Sequence, residues 1–168
     1  MSANNYYSKQ ILSSSINIEP HTITGDINKL ILHNIKLKYE SVCNKDGYIK
    51  SGSIEIINRS IGQSKIIDNK TYVMYNVTYS ADIITPSIGT KLKCVINSNN
   101  KMGLLGYIKG KDDDTIEDSP YIIIIPRDYF GNDADIDSIT IGDTINIEIL
   151  NFRIKYMGKQ IQIVAKPL

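Results

Sequence analysis

The chain has few of the residues that build disulfide frameworks, metal sites or catalytic triads. It carries only two cysteines, Cys43 and Cys94, and two histidines, His21 and His33. Two cysteines do not make a disulfide framework, so we expect reduced thiols in an intracellular protein. Neither histidine has a cysteine or carboxylate at metal-ligand spacing, and no serine stands in an elbow motif. We therefore expect no zinc site, no cofactor and no enzymatic activity.

An excess of one charge and long apolar runs are also missing. The 19 basic and 18 acidic side chains leave a net charge of +1, which excludes a strong overall attraction to nucleic acid. Residues 1–80 carry 9 Lys+Arg against 6 Asp+Glu, and residues 81–168 carry 10 against 12, so the balance changes from +3 to −2. No run approaches the roughly 18 apolar residues of a membrane span. Residues 1–5 lack the basic and apolar regions of a signal peptide, so we expect none.

Isoleucine and tyrosine are abundant instead. The chain has 33 Ile against 5 Val, together with 11 Tyr, a bias typical of an AT-rich genome. Both residue types suit the half-buried surface of a pleated sheet. The composition therefore favours β structure.

One helix is predicted near the N-terminus. Asp26 is a candidate N-cap, and a helix over residues 27–38 follows a short strand over 16–19. Its apolar residues recur at helical spacing, which predicts one face packed on a sheet. These residues are Ile27, Leu30, Ile31 and Ile35.

The rest of the chain has the sequence patterns of strands. Before a break at residues 86–89, strands are predicted over 48–57, 72–79 and 82–85, with a polar turn at 60–64. Five short strands follow, over 90–96, 102–108, 121–125, 143–152 and 160–164. An acidic insertion, residues 109–119, is expected to be mobile. The sequence thus predicts an α+β N-terminal module, residues 1–82, followed by an all-β five-stranded OB-fold barrel, residues 83–168.

One acidic pattern resembles a metal-binding loop but lacks its key residues. Asp133, Asp135 and Asp137 have the spacing that opens an EF-hand loop, yet Ser138 and Thr144 stand where glycine and glutamate are required. A solvated acidic loop is the favoured interpretation.

Several segments match one family in order over nearly the whole chain. Residues 40–49 are similar to an E-G-x-C-x-x-x-G-Y/F-I/V stretch, with Ser41 where glycine is usual. Residues 57–62 resemble a loop with an N-I-G-like tip, and residues 75–79 a Y-P-V-K-Y strand with Asn76 in place of proline. Residues 86–89 and 100–105 resemble a P-x-x-G domain entry and an N-K-x-G-L/I-F strand. This order resembles the stalk-subunit family of multisubunit RNA polymerases, which comprises the seventh subunit of eukaryotic RNA polymerase II and its archaeal counterpart.

The resemblance implies a non-catalytic subunit of a DNA-directed RNA polymerase. Its N-terminal module would dock on the core subunits, its OB fold would be of the ribosomal-protein S-one type, and a smaller partner of the fourth-subunit type would bind alongside. The composition and the departures suit a divergent copy encoded by a large DNA virus. Such a protein would work in the nucleus or in a cytoplasmic viral factory, or be packaged in virions.

The resemblance also implies a docking surface. It comprises the turn at Gly47 and Tyr48 and a tip loop that contains Asn58, Ser60, Ile61 and Gly62. The alternative is that both glycines simply serve hairpin turns. If the tip inserts into the core, Gly62→Arg should leave the fold intact and release the protein from the polymerase.

An RNA-binding face is the second expectation. OB folds bind single strands with the loops between strands 1–2 and 4–5, here residues 97–101 and 153–159. The candidates for phosphate contact and for base stacking are Lys101, Arg153, Lys155, Lys159, Tyr107, Tyr121 and Tyr156. However, Leu105 replaces the usual aromatic residue of strand 2, and the acidic insertion would repel phosphates if it lies near. We therefore expect weak, salt-sensitive binding of single-stranded RNA.

Two other functions stay open. A stand-alone OB-fold RNA-binding accessory protein would use the C-terminal half and leave the match at residues 40–62 to chance. A structural β protein of a virion would have no nucleic-acid role.

Overall fold

A computed structural model describes residues 6–168, apart from the side chain of Asp133. The signal-peptide prediction falls on residues 1–5 and lies outside this range. The elements are β1 (Tyr7–Ile18), α1 (Ile27–Tyr39), β2 (Tyr48–Ile49), β3 (Glu55–Arg59), β4 (Gln63–Ile67), β5 (Lys70–Ile84), β6 (Lys91–Asn100), β7 (Gly103–Tyr107), β8 (Tyr121–Pro126), α2 (Asp133–Asp137), β9 (Thr144–Arg153) and β10 (Ile161–Pro167). None of the helices in this part of the chain has the length and apolar character needed to cross a bilayer.

The chain forms two compact units, and neither unit is continuous in sequence. The sheet unit comprises Ser8–Glu40 and Ile49–Ile83, and the barrel unit comprises Ser41–Tyr48 and Ile84–Leu168 with Tyr6 and Tyr7. The predicted division at residues 82 and 83 lies next to the change at Ile83, but it does not anticipate the placement of residues 41–48.

Hydrogen bonds and burial explain why residues 41–48 belong to the barrel unit. The Cys43 N–H donates to Gly158 O at 2.7 Å, and the Met157 N–H donates to Cys43 O at 2.8 Å. The side chains of Cys43 and Tyr48 are buried among the core residues of the barrel. This early segment therefore completes a core that consists mostly of later strands.

The predicted helix is confirmed in the sheet unit. Asp26 is the N-cap of α1, and its side chain accepts a hydrogen bond from the Asn28 N–H at 2.9 Å. Ile31 and Ile35 are fully buried against the sheet, as the helical spacing predicts. The sheet has five strands, with β5 between β1 and β2, and both β3 and β4 pair with β5.

The long hairpin of the sheet unit turns at a different place from the predicted one. Residues Asp68 and Asn69 connect β4 to β5, with φ of 49° and 63°, as a two-residue type I′ turn requires. β3 and β4 both run antiparallel to β5, so residues 60–62 interrupt one extended edge rather than reverse the chain. The predicted polar turn at 60–64 is therefore wrong. β5 is also one continuous strand, not the two predicted over 72–79 and 82–85.

The barrel unit is a closed barrel of five strands in the order β10-β8-β7-β6-β9. β8 and β10 are parallel, and the other neighbouring pairs are antiparallel. This arrangement is consistent with an OB-like barrel. Alternate residues of each strand fill the interior, including Ile123, Ile147 and Ile163, each with no exposed surface.

Two connections in the barrel unit differ from the sequence-based expectation. β6 continues to Asn100, so only residues 101–102 connect it to β7. The acidic residues 133–137 form the short helix α2 rather than a loop, and Asn99 Nδ2 donates to the Ile136 carbonyl at 2.9 Å. The buried Ile136 side chain joins the barrel core.

Candidate docking groove and nucleic-acid interface

A groove of about 750 Å³ lies between α1 and the β3 edge of the sheet unit. Its walls are Asn28, Lys29 and Leu32 of α1, residues 54–59, and Ile61. Ile57 and Ile61 are 55% and 79% exposed. Within residues 6–168, β3 and β4 have β5 as their only strand neighbour, so their other edge is unpaired. A groove with exposed isoleucines beside an unpaired strand edge suits a protein partner.

Arg59 holds a positive charge at this groove. Its Nε donates to Asn28 Oδ1 at 2.7 Å, its Nη1 donates to Ser60 O at 3.2 Å, and its guanidinium lies 5.6 Å from the centre of the Tyr75 ring. These contacts restrict the side chain, so the cation lies in a defined place between α1 and β3. The groove thus combines exposed isoleucines with charged and amide side chains, and Arg59 is a cation that hydrogen bonds hold in place.

The four predicted tip residues have different environments. Asn58 and Ile61 line the groove. Ser60 is half-buried, and its Oγ accepts the Asn76 N–H at 2.9 Å, which joins the interrupted edge to β5. Gly62 has no room for a side chain, because a Cβ there would lie 2.6 Å from Val73 Cγ1. Gly62→Arg is therefore expected to displace neighbouring side chains, so this variant does not separate docking from folding.

The other two predicted docking residues serve the barrel unit. The Gly47 N–H donates to Asn44 Oδ1 at 2.9 Å in a turn that the Asn44 side chain organises. Tyr48 is only 8% exposed, and its ring packs in the barrel core. Neither residue offers a side chain to a partner. This turn places residues 41–48 against the loop between β9 and β10.

Ser41 has the backbone conformation of a glycine. It follows the C-cap of α1 with φ of 59°, in the left-handed region that ends many helices and favours glycine. A glycine at this position would adopt the same backbone without strain.

Three of the predicted RNA-binding cations converge in the barrel unit. Arg153, Lys155 and Lys159 line a cleft of about 430 Å³ at the loop between β9 and β10. The rest of its lining is Ile122, Gly158, Gln160 and Gln162. Sequence reasoning missed the two glutamines, although their position beside the basic loop was a usable signal. Three cations and two amides in one cleft can hold phosphate oxygens.

The remaining cation and one tyrosine are exposed but differ in position. Lys101 lies in the two-residue turn between β6 and β7 and does not line the cleft. Tyr156 belongs to the β9–β10 loop and is 64% exposed. Tyr156 is therefore the predicted stacking residue that the structure leaves accessible near the cations.

The other two predicted stacking residues are buried. Tyr121 is 2% exposed because it points inward with Ile123 and Ile125, and burial raises the pKa of its hydroxyl. Tyr107 is 9% exposed, and its hydroxyl donates to the Asp114 carbonyl at 3.4 Å. Neither ring can stack on a base, so both predicted contacts are corrected.

Aliphatic side chains occupy much of the outer face of β7 and β8. The register aligns Tyr107, Ile122, Gln162 and Arg153 across four strands. Leu105 is half-buried beside the exposed Ile124 in the next row. This face lacks an exposed aromatic residue, which concentrates any nucleic-acid contact at the β9–β10 loop.

The described residues contain no group of three or more His, Cys, Asp or Glu side chains that could hold a metal ion. Burial raises the pKa of Cys43 to about 11 and that of Cys94 to about 12, so both thiols are protonated at neutral pH. Neither is a nucleophile under these conditions. No protein-family model matches the chain, and no curated protein matches it in sequence.

Proposed function

We propose that the protein is a non-catalytic stalk-type subunit of a multisubunit DNA-directed RNA polymerase. One observation carries the proposal. The segment that resembles the core-inserting loop of that family lines the groove beside the unpaired strand edge, and its Ile61 is 79% exposed. A helix-and-sheet docking domain and an OB fold of the ribosomal-protein S-one type are the finer assignments that go with this function.

Docking would use the apolar side chains and the free strand edge together. Ile57 and Ile61 would become buried against a core subunit, and the unpaired edge of β3 would offer backbone hydrogen bonds. Burying an isoleucine from water contributes roughly 1.5–3 kcal/mol, so two such residues make a substantial anchor. A partner of the fourth-subunit type remains part of the proposal.

RNA contact would be a secondary property of the barrel unit. Arg153, Lys155 and Lys159 would bind phosphates, and Tyr156 would stack on one base. Three phosphate contacts give a salt slope of roughly −2 for single-stranded RNA. Binding should therefore be weak and should disappear at moderate salt.

The test is affinity purification of the tagged protein from the cells in which it is naturally made. Recovery of the two largest polymerase subunits in near-equal amounts is expected. Ile61→Glu should reduce their recovery at least about tenfold, because a charge replaces a central apolar contact. Ile66→Glu is the matched control, since Ile66 is 74% exposed on β4 but does not line the groove.

Two results would contradict the proposal. Purification without polymerase subunits would exclude the stalk function. Equal recovery with Ile61→Glu and Ile66→Glu would exclude the groove as the docking site. Circular dichroism and thermal unfolding of both variants should match the wild type, which separates lost docking from lost folding.

A stand-alone RNA-binding accessory protein is the second candidate. The cation-lined cleft at the β9–β10 loop favours it. This function predicts tight RNA binding, recovery with ribosomal components and no polymerase in the purification. It also predicts that Arg153→Ala abolishes function and that Ile61→Glu does not.

A further inference from the structure

The acidic insertion between β7 and β8 is hydrogen-bonded at two places on the barrel unit. Gln160 Nε2 donates to Ile116 O at 2.6 Å and to Ser119 O at 2.8 Å. On the other side, the Tyr107 hydroxyl donates to the Asp114 carbonyl. The insertion was expected to be mobile, but it has defined partners on both sides. Gln160 is also a wall of the basic cleft.

The strand register shows how close the insertion lies to the cleft. Tyr107 pairs with Ile122, which lines the cleft, and Ile122 pairs with Gln162, which pairs with Arg153. Adjacent strands are about 4.8 Å apart, so the path along the barrel wall from Tyr107 to Arg153 is roughly 14 Å, and the direct distance is shorter because the barrel is closed. This distance lies well within the Debye length of roughly 30 Å at 10 mM salt.

The carboxylates of the insertion divide into two groups. Asp114 accepts the N–H groups of Gly110 and Lys111, and Asp118 accepts the N–H and hydroxyl of Thr115. These two carboxylates stabilise the local fold of the insertion. The other three are exposed, so their negative charges contribute to the electrostatic field around the insertion: Asp112, Asp113 and Glu117.

We propose that the insertion reduces the affinity of the basic cleft for polyanions, and that Gln160 is the positioning residue that holds it there. Glu117 follows Ile116, whose carbonyl accepts from Gln160, so the backbone of Glu117 is one residue away from a contact with the wall of the cleft. A phosphate chain that enters the cleft meets three cations and a nearby negative field. The insertion therefore favours loose contacts that a moving transcript can leave. This inference rests on the nucleic-acid contact within the proposed function.

The test measures binding of a fluorescein-labelled 12-nucleotide oligouridylate by anisotropy, using the full chain. At low salt, Glu117→Gln should tighten binding about two- to fivefold, the change expected of one exposed charge. Asp128→Asn is the matched control, because Asp128 is an exposed carboxylate beyond the opposite end of β8. At 0.3 M salt the difference between Glu117→Gln and wild type should vanish.

A double-mutant cycle tests the role of Gln160. In a Gln160→Ala background, Glu117→Gln should have less than about half of its effect, because the acidic segment is no longer held at the cleft. Thermal unfolding of each variant checks that the barrel remains folded. A heparin oligosaccharide serves as a second polyanion in the same assay.

Three outcomes would overturn the inference. Equal effects of Glu117→Gln and Asp128→Asn would show that the insertion does not act on the cleft. An undiminished effect in the Gln160→Ala background would exclude the coupling through Gln160. Failure of the wild type and of Glu117→Gln to bind either probe would remove the anion cleft itself, while recovery of polymerase subunits would leave the docking function standing.

Discussion

The two units use the same isoleucine-rich strands in opposite ways. In the barrel unit every strand has two strand neighbours, and the interior isoleucines are inaccessible to solvent. In the sheet unit the described part of the chain leaves one edge of β3 and β4 unpaired, and Ile57, Ile61 and Ile66 remain exposed. Composition alone does not separate core from interface. Closure of the sheet decides which isoleucines are buried and which can bind a partner.

The largest expected effect tests the closed core. Ile123→Ala should lower the free energy of unfolding by about 2–5 kcal/mol, because it leaves a cavity in the barrel. Its neighbour Ile124 is 43% exposed, and Ile124→Ala should cost less than about 1 kcal/mol. Urea unfolding measures both variants, and equal losses would break the contrast between interior and outer face.

The second effect tests close packing within the barrel wall. A Cβ at Gly106 would lie 2.2 Å from Cys94 Sγ, so Gly106→Ala should cost about 1–3 kcal/mol through strain. Gly131→Ala is the control, since no atom lies within 4 Å of a Cβ there. A thermal midpoint for Gly106→Ala that matches the control would show that the barrel wall relaxes around the added methyl group without strain.

A third and smaller effect tests the sheet unit. Asp26→Ala removes the N-cap of α1 and should cost about 1 kcal/mol, whereas Asp26→Asn should retain most of the stability. Hydrogen exchange of amides in the first turn of α1 would locate the loss. Uniform exchange changes in both units would contradict a local role for the cap.

Ser41→Gly should act in the opposite direction. The left-handed backbone at Ser41 costs a non-glycine residue roughly 1 kcal/mol, so glycine should raise the free energy of unfolding by up to about that amount. Ser41→Ala should bring no such gain. Urea midpoints that rank alanine above glycine would show that the serine side chain itself stabilises the turn.

The smallest effect at neutral pH concerns the two thiols of the barrel unit. Burial raises their pKa from 9.0 to about 11 for Cys43 and about 12 for Cys94. Above pH 9 the thiols ionise in the unfolded chain but stay protonated in the folded one. The thiol contribution to the free energy of unfolding is therefore fully present below pH 9 and is lost between pH 9 and 12. The Cys43→Ala, Cys94→Ala double variant should lose less stability than wild type between pH 8.5 and about 10.5. Identical pH slopes would exclude a thiol contribution.

The sequence predicted the elements whose signals are local. Asp26 and the isoleucine spacing of α1 identified the helix and its buried face. Alternation located three of the five barrel strands, because a strand with one buried face must alternate. The other two were predicted from a glycine-bearing segment, residues 102–108, and from a short apolar run, residues 121–125. The convergence of Arg153, Lys155 and Lys159 followed from their closeness in the chain, so the basic loop was predictable.

Some of the missed features depend on contacts between residues that are distant in sequence. Others follow from strand alternation that the prediction did not use. Tyr121 was predicted to stack on a base. It lies two and four residues before Ile123 and Ile125, so strand alternation places all three on the same, interior face. Tyr107 is buried because the insertion covers it. The sequence around Tyr107 does not predict this contact. Asp68 and Asn69 form a two-residue turn between alternating segments, which is a recognisable hairpin signal. The prediction placed the turn around Gly62 instead.

The contact between Cys43 and Gly158 has a consequence for synthesis of the chain. The two residues are roughly 115 positions apart, and ribosomes add about 5–20 residues per second. Cys43 and Tyr48 therefore leave the ribosome roughly 6–23 s before the loop that covers them. During this interval a thiol and an aromatic ring of the later core are accessible to chaperones and to other nascent chains. Slower translation of β9 and β10 should lengthen that exposure and increase aggregation during expression.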